Sequence, residues 1–245
     1  LQQPYPYEKL DIVAAPQWPS GATELAAAIT YRESRILANE NSGPAFLRGL
    51  KSIHAHEMAH MWFGDLVTPP WWDGLWLKEG FATWGEAMAL SQMEPTEGHD
   101  VQAVADAIGA MRLDSLASVR AIQEPILRNE DIRNAYDSIT YNKSLGVINM
   151  ADSYFRPDVF RPALGEYIAR FADGVADSDD FFHVIGKTVG SPDLTDAFDS
   201  FVLQQGVPVV SADLQCTSLG AKVALSQARY RPLGSSIEPG TRWTI

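Results

Sequence analysis

Two histidines and two glutamates at fixed spacing carry the chemistry of this chain: His56-Glu57-Met58-Ala59-His60, eighteen intervening residues, then Glu79 within WWDGLWLKEGFATW. On a helix, positions i and i+4 lie about 40° apart around the axis and about 6 Å along it, so His56 and His60 project from one face and can chelate one ion. Glu57 falls about 100° round from His56, beside the pair, where its carboxylate can reach a water at the metal without becoming a ligand. Catalytic zinc takes three protein ligands and keeps one position for water; His, His, Glu is a recurring set, which Glu79 completes.

The elements that must position these groups are legible too. Ala55, Ala59, Trp62 and Leu66 recur at i, i+4, i+7, i+11, which predicts an amphipathic helix with that stripe toward the core and Pro69-Pro70 as its stop. Leu77, Phe81, Trp84 and Met88 repeat the pattern and predict a second helix. Its other face carries Glu79, Thr83 and Glu86, a polar stripe of the kind usually solvated, from which the distance to His60 singles out Glu79. Ligating histidines need partners to fix their tautomers, and Asp65 and Thr83 are candidates by position. His54 points about 200° away from His56 and is excluded from the same ion. His99 and His183 read as surface residues. Trp62, Trp71, Trp72, Trp76 and Trp84 read as packing between the two helices rather than as a cleft lining.

The run HEMAHMWFGDLVTPPWWDGLWLKEGFATW resembles the signature of the zinc aminopeptidases of the alanyl aminopeptidase type, the gluzincin family with H-E-x-x-H, eighteen residues, then E. Upstream, KLDIVAAPQWPSGATELAAAITYRES resembles the segment bearing that family's G-x-M-E-N exopeptidase motif, here Gly21-Ala22-Thr23-Glu24-Leu25. Downstream, YDSITYNKSLGVINM resembles the segment of the family's catalytic tyrosine, which falls on Tyr141, and FDSFVLQQGVPVV resembles the end of its catalytic domain. The resemblance implies zinc on His56, His60 and Glu79, Glu57 as general base, Tyr141 as donor to the oxyanion, and Glu24 as the carboxylate that holds the substrate's free amino terminus. A blocked peptide would leave that acid unpaired, a sound physical basis for demanding a free amine. The sequence departs from the pattern at Thr23 and Leu25, which stand where methionine and asparagine are usual, and at Ser144, which replaces a glycine after Lys143 and reads as a local packing change.

The same resemblance implies an α+β, mostly α, thermolysin-like zinc metallopeptidase catalytic domain over residues 1–208, with a small N-terminal sheet. VQAVADAIGAMRL and FRPALGEYIARFA suit its helical lobe. From 209 to 245, VPVVSADLQC, AKVALSQARY and TRWTI alternate apolar and polar residues between turns, which predicts the opening strands of a truncated β-sandwich. The expected partners are peptides with a free N-terminus and the missing N-terminal and C-terminal domains of the same polypeptide. A net charge of −12, from 31 acidic and 19 basic residues without a Lys/Arg cluster, argues against nucleic acid. No apolar run reaches the length of a membrane span, and no signal peptide is visible. The lone Cys216, pairing with a cysteine outside this segment, points to a periplasmic or secreted home over a cytoplasmic one. Two other readings use the same residues: an endopeptidase of thermolysin type or another zinc hydrolase, separable by free-amine dependence, and a non-catalytic scaffold, which would have no need of Glu57 or Tyr141.

Overall fold

The computed structural model describes residues 3–218, 220–238 and 240–245. Leu1 and Gln2 of the predicted catalytic segment, and Leu219 and Pro239 of the tail read as strands, lie outside the described residues. A three-stranded sheet comes first: β1 (Asp11–Ala15), β2 (Ala22–Leu25) and β3 (Ala28–Arg32), with β3 central, parallel to β1 and antiparallel to β2. Leu25 pairs with Ala28, so Ala26 and Ala27 alone make the turn, and Ala27 takes φ 62° to close it. Alternation along β3 sends Ile29 and Tyr31 into a small core with Met61, which seats the sheet beside the first motif helix.

After a short α1 (Glu33–Ile36), that helix is α2 (Pro44–His60), opened by a proline in its first turn, where no backbone donor is lost. It ends at His60, well short of Pro69, so the prolines do not stop it. Instead the Asp65 N–H donates to the His60 carbonyl at 3.0 Å while Gly64 swings to φ 128°. The chain then runs through β4 (Val67–Thr68), which pairs in parallel with β5 (Gly174–Val175), into α3 (Trp76–Met93). On α3 the predicted stripe is the buried one: Leu77, Phe81 and Trp84 are inside and Met88 packs against them. On α2 it is not. Ala55, Ala59, Trp62 and Leu66 are half-buried, and the deeply buried residues are Glu57 and His60, because the helix turns its polar side toward α3.

Two more helices, α4 (His99–Asp114) and the short α5 (Asn129–Ile132), lead to a π-helical turn, Ile139–Lys143, that runs directly into α6 (Ser144–Phe155). α7 (Pro157–Phe171), α8 (Ser178–Val189) and α9 (Leu194–Val202) complete the helical part around one core, where Trp76 contacts Phe81, Phe181 and Phe182. The molecule is therefore α+β and mostly α. Trp76 and Trp84 are core residues as predicted, whereas Trp71 and Trp72 are exposed. The tail forms a long antiparallel hairpin, β6 (Pro208–Thr217) with β7 (Gly220–Arg229). TRWTI is not a strand: Trp243 is buried beside Phe201, and its N–H donates to the Gln227 side chain while that of Thr244 donates to Ser200, so side chains hold this segment in place of a ladder. No helix among the described residues is long and apolar enough to cross a membrane.

Candidate active site

α2 and α3 cross closely enough that a Cβ on Gly85 would come within 2.8 Å of the Ala59 Cβ, and this approach brings the two halves of the motif together. His56 Nε2 and His60 Nε2 are 3.2 Å apart, and Glu79 Oε2 lies 3.3 Å from the first and 3.4 Å from the second. A tetrahedral ion bound at about 2.0–2.1 Å requires ligand-to-ligand edges of about 3.3 Å, so this triangle has the size of one face of such a polyhedron. The residues fit a metal ion. All three are sheltered, His60 at 1 % exposure and Glu79 at 3 %.

Burial draws the His56 imidazole down, but hydrogen bonds with Glu79 and Glu86 outweigh it and hold its pKa at about 9. For Glu79, burial pushes upward and the two histidines pull harder, keeping its carboxyl well below the usual carboxylate range. Both shifts reflect close packing of unlike charges: Glu79 between the two imidazoles and Lys78, and His56 between Glu79 and Glu86.

The partners behind the histidines differ from those suggested by position. Glu86 Oε2 lies 3.5 Å from His56 Nδ1, and the Ser52 hydroxyl donates to the other oxygen of Glu86. His60 Nδ1 lies 3.0 Å from the Phe63 carbonyl, which fixes Nδ1 as the protonated nitrogen and leaves Nε2 free to face the site. Thr83 donates to the Glu79 backbone carbonyl rather than to a histidine, and Asp65 keeps one buried oxygen without a hydrogen-bond partner among the described residues. Glu86 is therefore not the solvated residue that its polar stripe predicts; its signal in sequence is its position seven residues after Glu79, on the same face of α3. His54, turned away as predicted, meets the Tyr31 hydroxyl at 2.7 Å. His99 is not free in solvent but contacts Glu94 at 3.1 Å.

Glu57 is buried, with Oε2 lacking any hydrogen-bond partner among the described residues, and burial raises its pKa. The Tyr141 ring stacks on His56 with centroids 5.8 Å apart, and burial followed by the nearby Glu79 carboxylate raises the pKa of its phenol. Tyr141 sits in the π-helical turn, which Asp137 anchors by accepting from the Ile139 and Thr140 N–H groups while Arg120 grips both its carboxylate oxygens. Such turns recur where a side chain must be aimed off the regular helix. On the opposite side, β2 brings Glu24 to the centre: carboxylate oxygens of Glu24 and Glu57 and a ring nitrogen of His60 lie within 4.8 Å of one another. Lys78, one residue before Glu79, bonds to Glu24 and lies 3.5 Å from Glu79 Oε1. Nothing in its periodicity marked it.

Residues 1–202 match the model of the Peptidase family M1 domain. Among curated relatives the chain is 38 % identical over 234 residues to aminopeptidase M1-B of Oryza sativa subsp. japonica, covering 95 % of this chain and 26 % of that protein. It is 35 % identical over 244 residues to aminopeptidase M1 of Arabidopsis thaliana, 99 % of this chain and 27 % of that one. It is also 30 % identical over 233 residues to a leucyl aminopeptidase of Saccharolobus solfataricus, 95 % of this chain and 29 % of that protein. The chain thus spans between a quarter and a third of the length of these relatives.

Proposed function

The chain belongs to peptidase family M1, and from that premise we propose that it carries the zinc centre and the amine-binding carboxylate of an aminopeptidase, which removes N-terminal residues from peptides. The observation that carries this reading is the ligand triangle of His56, His60 and Glu79, with a Glu57 oxygen that has no hydrogen-bond partner among the described residues on one side and Glu24 beside it. His56, His60 and Glu79 would hold zinc, which supplies Lewis-acid activation of water and of the scissile carbonyl when bound.

Glu57 takes the proton of the attacking water on its free carboxylate oxygen and passes it to the departing amine. Its burial favours proton uptake nearer neutral pH, where a general base works best. Tyr141, held protonated, donates its phenolic hydrogen to the oxygen on which negative charge develops. Glu24 accepts the substrate's ammonium and thereby restricts cleavage to the first peptide bond. We read the helical body as the thermolysin-like part of the enzyme over residues 1–208, and the β6–β7 hairpin as the opening strands of a β-sandwich. Exposed Val209, Val210, Leu214, Val223 and Leu225 support the latter, since they offer apolar surface for further strands.

The test is hydrolysis of free and N-acetylated aminoacyl anilides by the longest polypeptide containing this chain, with metal content measured on the same sample. Turnover of free-amine substrates alone, lost on chelation and restored by zinc, is expected. Equal cleavage of acetylated substrates would instead assign an endopeptidase.

A further inference from the structure

From the contact between Lys78 and Glu24 we infer that Lys78 is a built-in occupant of the amine subsite, a specificity-determining residue that sets how strictly a free N-terminus is required. The inference rests on the proposed role of Glu24. The two side chains are largely sheltered, at 18 % and 12 % exposure, and Lys78 also faces Glu79 Oε1 at 3.5 Å. Its position is held as well as its charge. The aliphatic stem runs over Gly64, where a Cβ would stand 2.9 Å from Lys78 Cγ and 3.0 Å from Cδ, as well as 3.3 Å from His60 Nδ1. Gly64 at φ 128° therefore leaves the Lys78 stem room that a side chain there would occupy.

Two consequences follow from the charges. A substrate ammonium arriving at Glu24 meets a carboxylate already paired and a like charge next to it, so its affinity is reduced. A blocked, uncharged N-terminus displaces no counter-ion and leaves no carboxylate stranded, since Lys78 keeps Glu24 satisfied, so the penalty against it is relieved. Both effects narrow the discrimination between free and blocked ligands. Removing the Lys78 charge should widen it from both sides.

The experiment is calorimetric binding of leucinamide and N-acetyl-leucinamide to the zinc-loaded full-length polypeptide, with KM and kcat for leucine anilide measured in parallel. Lys78→Met, which retains the stem over Gly64, is expected to widen the affinity ratio about three- to tenfold and to lower KM more than it changes kcat. Lys78→Arg should return the ratio to that of the parent, and in a Glu24→Gln background Lys78→Met should widen it less than in the parent, because only the like-charge repulsion is then removed. Lys78→Gln serves as the second variant should thermal melting show that Lys78→Met is unfolded. An unchanged or narrowed ratio in the folded variant overturns the inference. If Glu24→Gln alone leaves leucinamide affinity intact, the amine-binding role of Glu24 itself fails; if it weakens leucinamide while the Lys78 variants change nothing, only the role of Lys78 falls.

Discussion

Glu57 and Tyr141 lie within reach of the same triangle of ligand atoms, and removing the chemistry of either should lower kcat without emptying the metal site. Glu57→Gln keeps the shape of the side chain and removes its basicity, so zinc content should be unchanged while kcat falls by about 10²–10⁴. Tyr141→Phe removes one donor to the developing oxyanion and should cost about 10²–10³ in kcat with KM little altered. Metal analysis beside steady-state kinetics checks both. His54 gives a residue-scale prediction of another kind. Burial lowers its pKa from the ordinary 6.5, so the folded protein holds the ring neutral at a pH where the unfolded chain would protonate it. The unfolded state then binds more protons below pH 6.5, and stability should be intact above that value and decline as pH falls toward the folded pKa. Thermal melts from pH 8 to pH 5 should show a decline that His54→Gln flattens.

Between elements, the close crossings are where single atoms matter. A Cβ on Gly80 of α3 would lie 2.5 Å from the Ser144 Cβ at the start of α6, so Gly80→Ala should destabilise by about 1–3 kcal/mol, read as a lowered Tm. Ser144 stands where the family pattern has glycine, and this contact gives the departure a physical meaning: the two positions share one gap, and here Gly80 alone supplies the room. The Ser144 hydroxyl is buried without a hydrogen-bond partner among the described residues. Ser144→Ala should therefore raise stability by about 1 kcal/mol, since it removes an unsatisfied polar atom without changing the packing. A Tm at or below that of the parent would show that the hydroxyl has a partner after all.

At the scale of the molecule, one buried ion pair ties three distant parts of the chain. Lys143 Nζ lies 3.0 Å from Asp114 Oδ2 and donates to the Gln204 carbonyl, while the Gly206 N–H donates to Asp114 Oδ1. The pair joins the end of α4, the π-helical turn that carries Tyr141 and the connection from α9 into the β6–β7 hairpin. Lys143→Met strands a buried carboxylate and should cost about 3–5 kcal/mol, much of it recovered in the Lys143→Met/Asp114→Asn double variant. Denaturant titration of the two proteins checks this. A selective loss of kcat in the single variant would show that the pair also steadies the turn beneath Tyr141.

What the sequence by itself determined is what local geometry encodes. A helix repeats every 3.6 residues, so the spacing of His56, Glu57 and His60 fixes which groups share a face, and Leu77, Phe81 and Trp84 fix the buried side of α3. Its distance from His60 and the recurring His, His, Glu ligand set singled out Glu79, and the resemblance to a family added Glu24 and Tyr141 as companions, because it carries long-range information that periodicity lacks. Only the tertiary structure decided the rest. The contact of half-buried Glu86 with His56 depends on how α2 rolls over α3, the support of Tyr141 depends on Arg120 reaching Asp137, and the pairing of Lys78 with Glu24 depends on a strand edge 54 positions away in sequence. Residues of these types on a polar helix face are ordinarily solvated, and nothing within one element distinguishes those that another element comes to cover.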